Sequence, residues 1–529
     1  METTTKKVVQ GAFLLTIAGL ISKFLSAIYR IPLQNLTGDL GFYIYQQIYP
    51  LIGMVMILSL YGFPVAISQL TVETIGKKRS LTISHFYLPL FLILLLINGI
   101  LFIAIFLLAP HIADWIGDSN LKIAFQQVAC LFLLIPFLAL LRGIFQGLKE
   151  MKYTAYSQIT EQVVRVTIIV GVAYFIYDQK LNVYSIGEAG VIATMAGMVI
   201  STVLLIFCMN RIMNRTTAQK VEKIPWGYYF RFCFLLGIVA SLNHMILILM
   251  QLADVLSLVP SLLNYGFSSQ QAMETKGIFD RGQPLIQFGV VFGSSFALAL
   301  VPAVTRKHLA DQKEKVYDSI RSAIVLSFYI ASGATIGLIL VLPETNMLLF
   351  MNKNGTGSLQ ILALSILLTS IAITGSTILQ IVGYIGSSAI WIITAFFIKW
   401  MLNIILVPYL GIHGSALATV SSLALLCVMV VITLRKKLPG LSLFDRVRWK
   451  PFVVASIGMA GYLSVIKFVV TSFIDFTRLS LLLYVPFLVL SGAFIYVVFL
   501  LRYQALTAKQ LQTLPLSQTL LHMQKIVEK

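Results

Sequence analysis

The sequence predicts an all-α integral membrane protein with about fourteen transmembrane helices, and three observations lead to this fold class. Of the 529 residues, 58% are hydrophobic and only 11% are charged, against about 25% charged residues in ordinary soluble domains. The mean hydropathy of the chain is +0.90. Long apolar segments recur along the whole sequence, and the polar connections between them are too short to form a soluble domain of useful size.

Each predicted span is an apolar segment long enough to cross a bilayer as a helix, which takes about 20 residues. The fourteen segments are 10–33, 42–68, 83–110, 122–146, 156–177, 188–209, 229–254, 283–304, 321–343, 358–381, 388–409, 412–434, 451–471 and 480–501. The first follows Lys6 and Lys7, as the apolar part of a signal peptide would. Because it is long, contains Lys23 and Arg30 and lacks the usual cleavage site, we interpret it as a retained transmembrane helix.

The distribution of basic residues predicts how the spans are oriented. Most of the 39 Lys and Arg residues fall in alternate connections, starting with the N-terminal segment. Cytoplasmic connections are enriched in these residues, so we expect a multi-pass protein of the bacterial plasma membrane with both termini in the cytoplasm. In this orientation the longest outer connection is 255–282, and the tail after residue 502 is cytoplasmic.

The first twelve spans form two sets of six, because several features recur 234 residues apart. Gln146 and Gln380 lie near span ends, and each is followed nineteen residues later by an intramembrane cation, Arg165 or Lys399. Since six is an even number, both halves would enter the membrane in the same orientation, which makes the internal repeat parallel. The predicted divisions are an N-lobe (1–220), a C-lobe (221–440), two extra helices (441–502) and a cytoplasmic tail (503–529).

Two cations inside the first span are candidate substrate-binding residues. Lys23 and Arg30 are seven residues apart, so both project from one face of a helix. A cation at the bilayer centre costs roughly 2.5–3.5 kcal/mol on insertion scales, which favours a face that lines a polar cavity and binds an anionic cargo. The alternative is that the side chains extend to the membrane interface, which suits Arg30, near the outer end, better than Lys23.

Further intramembrane charges lie on spans 5 and 11. Glu161 and Arg165 are one helical turn apart, which favours a structural ion pair. Lys399 is the counterpart of Arg165 in the second half, but Ala395 occupies the place of the acid. Lys399 is therefore a further candidate for cargo binding, and a structural partner such as Asp254 is the alternative.

Charge and composition argue against other kinds of site. The net charge of +19 would favour nucleic-acid binding in a soluble protein, but here the basic residues lie between apolar segments and follow from membrane orientation. The 4 cysteines fall in apolar segments without a CxxC spacing, and the 6 histidines have no metal-ligand spacing. The sequence therefore predicts no nucleic-acid partner, no metal site and no cofactor.

Four segments resemble the signatures of a known group of membrane exporters. They are residues 22–33 followed by Gly38, residues 61–68, residues 143–147 and residues 411–416. They resemble the polysaccharide-biosynthesis and stage V sporulation protein B-like exporters of the multidrug/oligosaccharidyl-lipid/polysaccharide (MOP) superfamily, which also contains the MurJ-type lipid II flippases. The resemblance covers essentially the whole chain and implies two six-helix lobes around a central cavity, with two extra helices.

The resemblance also implies which residues bind the substrate. In the MurJ-type relatives, arginines of the cavity serve the lipid diphosphate. By position, Lys23 and Arg30 match the first-span cations of these relatives, and Arg281, which opens span 8, resembles their eighth-span arginine. These three residues and Lys399 make up the expected cationic cavity.

The chain departs from those relatives in two places. Their second-span arginine has no counterpart here, and that region instead has Tyr43, Gln46 and Gln47, which are candidate sugar contacts. Some relatives hold a sodium ion with acids on spans 7 and 11, whereas span 11 of this chain has Lys399 and Asn403 and no acid. These departures leave room for a lipid-linked glycan other than lipid II and do not favour sodium coupling through that site.

Together these features predict a flippase that works by alternating access. It would move a lipid-linked oligosaccharide of the undecaprenyl-diphosphate type from the inner to the outer leaflet, with its tail in the membrane lipids and the membrane potential or an ion gradient as driving force. The alternative is a cation-coupled multidrug exporter, which needs intramembrane carboxylates, and these are few. A membrane enzyme would need large outer loops with catalytic groups, so no enzymatic activity is predicted.

Overall fold

The computed structural model describes residues 2–76, 81–210, 225–299, 313–443, 445–473, 477–511 and 517–528. Every regular element in these ranges is helical, which confirms the predicted all-α membrane fold class. The chain divides into two compact units, Met1–Asp280 and Arg281–Lys529. The predicted division between the two lobes, at residues 220 and 221, lies outside the described residues and stays a prediction.

The first unit contains helices α1 to α11. In chain order these are Glu2–Ile28, Arg30–Ile57, Phe63–Gly76, Leu88–Ile116, Lys122–Phe132, Ile135–Gly147, Met151–Gln179, Ser185–Asn210, Trp226–Phe232, Ile246–Asn264 and Ser269–Asp280. A π-helical turn, Leu58–Gly62, joins α2 to α3. Helix α7 packs against α1, α2 and α8, and α3 packs against α6, so α7 lies beside the helices that carry Lys23 and Arg30.

The second unit contains helices α12 to α21. In chain order these are Gly282–Ala299, Lys313–Phe350, Thr356–Ala363, Ser365–Val382, Ile385–Leu410, Ile412–Lys437, Trp449–Phe473, Arg478–Arg502, Ala508–Leu511 and Ser517–Glu528. The long helix α13 packs against α12, α15 and α19, and α16 packs against α17. The apolar core of the second unit joins α13 to the last two long helices, α18 and α19.

Twelve stretches of the described chain are long and apolar enough to cross a membrane. The first of them, Ile17–Gly76, is 60 residues long and contains most of the first predicted span and all of the second. Gly38 separates these spans with φ 70° and ψ −172°, a conformation that is essentially restricted to glycine. The predicted eighth span, 283–304, begins in α12 and continues beyond the described residues. With the first stretch counted as two spans and α12 as the eighth, these helices account for the predicted fourteen.

Helix ends recur 234 residues apart in the two units, as the repeat predicts. Helices α4 and α13 end at equivalent positions and are followed by Gly117 and Met351, with φ of 83° and 64°. Lys149 follows α6 and Gly383 follows α15, with φ of 63° and 95°, and in both turns the next residue donates its N–H over 2.8 Å to the carbonyl five positions earlier. This is the left-handed helix-terminating turn of the Schellman type, so the two units share local geometry as well as sequence.

Helices α3 and α6 approach closely because α6 carries two glycines on one face. A Cβ atom placed on Gly143 would lie 2.5 Å from Cβ of Ile67, and one on Gly147 would lie 2.5 Å from Cβ of Thr71. Both distances are far below van der Waals contact, so any larger residue would push the helices apart. This contact fixes the end of α6, which carries Arg142, against the helix that follows the second span.

Candidate functional site

Arg30, the first residue of α2, is a fully buried cation. Its guanidinium carbon lies 3.9 Å from the centre of the Tyr49 ring. None of its three nitrogens has a partner in hydrogen-bond geometry within the described ranges, although the side chain of Tyr29 is close. A cation–π contact contributes about 0.5–2 kcal/mol, which is less than the cost of burying a charge without hydrogen bonds. The hydrogen-bond donors of Arg30 are therefore available to an anionic ligand.

Three tyrosines surround Arg30, and we call Tyr29, Tyr45 and Tyr49 the tyrosine cluster. The hydroxyls of Tyr29 and Tyr45 are hydrogen-bonded to each other, and their rings meet edge to face at 6.0 Å. Tyr45 and Tyr49 are one turn apart on α2, with ring centres 6.0 Å apart. The cluster therefore offers aromatic faces and hydroxyl groups next to a cation, a combination suited to a polar anionic ligand.

Lys23 lies in different surroundings, although the sequence places it on the same helical face as Arg30. Its side chain is exposed, and its charge acts on the imidazole of His244. His244 stacks on Tyr61, with ring centres 4.5 Å apart and an angle of 17° between the rings.

The predicted ion pair between Glu161 and Arg165 is wrong. Oε2 of Glu161 lies 2.7 Å from Nη2 of Arg142, which reaches it from α6. Arg165 is fully buried; it donates to Oε1 of Gln162 and contacts Sδ of Met56, and its Nε has no partner in the part of the chain that the structure describes. Neighbours one turn apart on a helix can pair, but a better-placed cation on a packed helix takes the carboxylate here.

Arg142 consequently has a structural position that the sequence did not indicate. It lies near the end of the fourth predicted span and is buried inside α6. Besides Glu161 it donates to Oγ of Ser157 over 2.9 Å and to the carbonyl of Ser59. Because its partners come from α7 and from the π-helical turn, this arginine ties three elements of the first unit together.

The candidate sugar contacts are all buried on α2. Tyr43, Gln46 and Gln47 are at most 3% exposed, and several of their polar atoms have no partner among the described residues: the Tyr43 hydroxyl, Oε1 of Gln46 and both amide atoms of Gln47. Nζ of Lys276 lies 5.8 Å from the centre of the Tyr43 ring and 2.6 Å from Oδ2 of Asp280. The Tyr43 hydroxyl is also close to Asp118, although outside hydrogen-bond geometry.

Asp118 lies between the third and fourth spans and is buried. The hydroxyl of Tyr184 donates to its two carboxylate oxygens over 3.2 and 3.0 Å. Burial raises the pKa of Asp118 above its usual value, although the hydrogen bonds from Tyr184 and from the N–H of Asn120 act in the opposite direction. Burial, together with the charge of Asp118, also raises the pKa of Tyr184.

The other two candidate cations, Arg281 and Lys399, belong to the second unit and are fully buried. Arg281 donates to Oδ1 of Asn352 over 2.7 Å and lies 5.3 Å from the centre of the Phe350 ring. Lys399 lies on the buried face of α16 together with Asn403. Lys23 and Arg30 therefore belong to the first unit, in different surroundings, and Arg281 and Lys399 belong to the second.

The second unit also contains an apolar cavity of about 660 Å³. Helices α12, α13, α18 and α19 line it, and Gly289, Gly333 and Gly492 leave room for it. Leu506 and Leu511, which follow α19, contribute to the same cavity. Its lining is suited to a hydrocarbon chain. Over the described ranges, no group of three or more His, Cys, Asp or Glu side chains is arranged to hold a metal ion.

Comparisons with known proteins agree with this architecture. Residues 8–308 match the family described as polysaccharide biosynthesis protein. The chain is 41% identical over 436 residues to the uncharacterized membrane protein YabM of Bacillus subtilis, covering 81% of this chain and 80% of that protein. It is 23% identical over 448 residues to the lipid II flippase MurJ of Bacillus subtilis, covering 78% of this chain and 80% of that one.

A solved structure supports the same fold. The inward closed conformation of the lipid II flippase MurJ superimposes with a TM-score of 0.64 at 13% sequence identity, covering 92% of this chain and 98% of that structure. The fold class, the internal repeat and the family match therefore lead to one assignment. The chain belongs to the polysaccharide biosynthesis protein family, a branch of the MOP superfamily of multi-pass membrane transporters that includes the stage V sporulation protein B-like exporters and the MurJ-type flippases.

Proposed function

We propose that this protein is a flippase that moves a lipid-linked anionic glycan of the undecaprenyl-diphosphate type from the inner to the outer leaflet of the bacterial plasma membrane. The observation that carries the proposal is Arg30, a fully buried guanidinium whose nitrogens have no acceptor among the described residues. Burying such a charge without hydrogen bonds destabilises the folded protein, and hydrogen bonds to an anionic cargo would offset that cost. Membership of a family of exporters and flippases supports the same reading.

The anionic head of the substrate would accept hydrogen bonds from Arg30. We propose Lys23, Arg281 and Lys399 as further cations that it contacts during transport. Tyr43, Gln46 and Gln47 would contact the sugar through polar atoms that make no other hydrogen bond within the described ranges. The lipid tail would stay in the surrounding membrane lipids.

Transport of this kind needs a driving force and no covalent chemistry, so we propose no enzymatic activity. An inside-negative potential favours outward movement of an anion by about 2.3 kcal/mol per charge per 100 mV. With both termini in the cytoplasm, the outer end of the first span would carry Arg30. The potential or an ion gradient would drive the cycle, with the membrane lipids and the lipid-linked glycan as partners.

A cation-coupled multidrug exporter is a less well supported function. Proton or cation coupling would need a free intramembrane carboxylate. Glu161 is not free, because it is bonded to Arg142 at 2.7 Å. Asp254 is buried and already has an interaction. The buried cations outnumber these acids.

Flipping is tested by reconstituting the purified protein into lipid vesicles with a fluorescent polyprenyl-diphosphate sugar. Wild-type protein should transfer the lipid between leaflets, as measured by the fraction that a membrane-impermeant quencher reaches. Arg30→Gln should lower the rate about tenfold or more, because charge-assisted hydrogen bonds contribute roughly 1.5–3 kcal/mol each.

The matched control for this assay is Lys152→Gln, which removes a positive charge from an exposed pair on α7 and should leave the rate unchanged. Wild-type vesicles that accumulate cationic drugs but transfer no lipid would refute the flippase proposal and favour the multidrug exporter. Equal rates for wild-type and Arg30→Gln would exclude Arg30 from the site.

A further inference from the structure

Arg165 on α7 has no carboxylate partner within the described chain. Glu161 is bonded to Arg142. Among the described residues, the only acceptors of Arg165 are the amide oxygen of Gln162 and the sulfur of Met56, and its Nε has none. A thioether is a weak acceptor. Arg165 is therefore a second fully buried guanidinium whose charge is not balanced by a neighbouring acid.

Arg165 and Arg30 lie beside the same aromatic residue. The charges of both arginines act on the hydroxyl of Tyr45. Arg30 lies against Tyr49, which neighbours Tyr45 on α2, and α7 packs against α2. Two like charges in one buried region repel each other, and no internal contact of the first unit that the structure describes offsets this repulsion with a negative charge.

We propose that Arg165 and Arg30 form a two-guanidinium site, with the hydroxyls of the tyrosine cluster, that binds the diphosphate group of the transported lipid. This inference rests on the proposed function and adds to it a residue, Arg165, for which the sequence indicates only a structural ion pair.

The chemistry of the donors selects a diphosphate over a carboxylate. Each guanidinium is a planar fork that matches two oxygens of one phosphoryl group. A carboxylate has two oxygens and one charge, so it cannot satisfy both forks, whereas a diphosphate presents one phosphoryl group to each. The hydrogen bond between the Tyr29 and Tyr45 hydroxyls would be exchanged for hydrogen bonds to phosphoryl oxygens.

The internal repeat gives this position a counterpart. Lys399 lies 234 residues after Arg165 and is also fully buried. Lysine is a compact point charge that lacks the planar fork. At this position of the repeat, Arg165 of the first unit can therefore bind a phosphoryl group through two hydrogen bonds at once, whereas Lys399 of the second unit cannot.

The first test separates a ligand-binding arginine from a structural one by the stability of the protein without ligand. If Arg165 serves a ligand, removing one of two repelling charges in Arg165→Gln should leave the melting temperature in detergent equal to or above that of the wild type. A melting temperature well below wild type, with diphosphate binding retained, would show a structural arginine and overturn the proposal.

The second test measures affinity with the full-length protein in nanodiscs. The probes are a polyprenyl diphosphate, the matching monophosphate, inorganic diphosphate and phosphatidylglycerol. We expect Arg165→Gln to weaken polyprenyl diphosphate binding about 10- to 100-fold and to reduce the preference for diphosphate over monophosphate. Arg165→Lys, which keeps the charge and loses the fork, should bind with intermediate affinity and serves if the glutamine variant does not fold.

The outcomes distinguish this inference from the proposed function. Loss of binding in Arg30→Gln with unchanged affinity and unchanged diphosphate preference in both Arg165 variants would overturn the role of Arg165 and leave the flippase standing. Failure of the wild type to prefer polyprenyl diphosphate over phosphatidylglycerol would overturn both. Equal affinity for inorganic and polyprenyl diphosphate would support the phosphoryl site but assign it to a soluble phosphate and overturn the lipid-linked substrate.

Discussion

Among the described residues of the first unit, three arginines are buried, and they lie in two kinds of environment. Arg142 has a carboxylate at 2.7 Å, a serine hydroxyl and a backbone carbonyl as acceptors. Arg30 and Arg165 have no acid beside them within the described residues. A fully bonded arginine stabilises the fold that surrounds it, whereas an arginine with free donors is suited to a ligand. The three residues can therefore be separated by experiment.

The pair of Arg142 and Glu161 should be essential for stability. Glu161→Gln leaves Arg142 buried without its counter-charge, which costs about 3–5 kcal/mol in buried pairs. We expect a large fall in the free energy of unfolding, measured by denaturation in SDS with mixed micelles. The control is Glu150→Gln, which breaks the exposed pair with Lys152 and should cost less than about 1 kcal/mol. A similar small loss in both variants would contradict the structural role of Arg142.

At the scale of single residues, the sequence shows which charges are unusual but not what they contact. Lys23, Arg30, Arg165 and Lys399 stand out because each lies in an apolar segment. The partner of Glu161 was missed because Arg142 is nineteen residues away and approaches from another helix, whereas Arg165 is near in sequence. Spacing on one helix gives candidate pairs, but tertiary packing decides between them.

At the scale of helices, close approach between α3 and α6 depends on glycines. Gly143→Ala should cost about 1–3 kcal/mol of stability, because its Cβ would overlap Cβ of Ile67. Gly171→Ala on α7 is the matched control, since nothing lies within 4 Å of its added Cβ, and it should be neutral or slightly stabilising. Thermal unfolding of both variants in the same detergent checks the difference. An equal change in stability in the two variants would mean that α3 and α6 can move apart at little cost.

Several predicted spans are not single α-helices, spans 4 and 10 among them, and hydropathy could not reveal this. Span 4 is divided between α5 and α6, and span 10 is divided between α14 and α15. Apolar residues continue through both breaks, so the hydrophobic pattern does not change there. Pro136 accounts for the first break, because proline is favoured in the first turn of a helix and disfavoured in its interior. The corresponding break in the second unit has no proline.

At the scale of the whole molecule, the membrane makes much of the fold predictable. A bilayer requires each crossing segment to be apolar, of defined length and hydrogen-bonded internally, so the number and limits of the spans follow from hydropathy. The repeat adds the division into related halves, because helix ends recur at a constant spacing. How helices pack, and therefore which buried groups meet, depends on side-chain shapes that a single sequence does not display.

The proposed orientation can be checked with single cysteines in a variant that lacks the native ones. Gln179→Cys lies at the exposed end of α7 and should react with a membrane-impermeant maleimide in intact cells. Asp445→Cys lies in the exposed connection between α17 and α18 and should react only after the cells are permeabilised. The opposite labelling pattern would place both termini outside the cell.

The left-handed turns that close equivalent helices differ in sequence between the two halves. The first half has glycine at residue 117 and lysine at 149, whereas the second half has methionine at 351 and glycine at 383. Because a left-handed residue other than glycine costs about 1–2 kcal/mol, a common ancestor with glycine at both turns would have been less strained than either descendant. The constant spacing further means that a recombination joining the halves at these turns would keep every later helix in register.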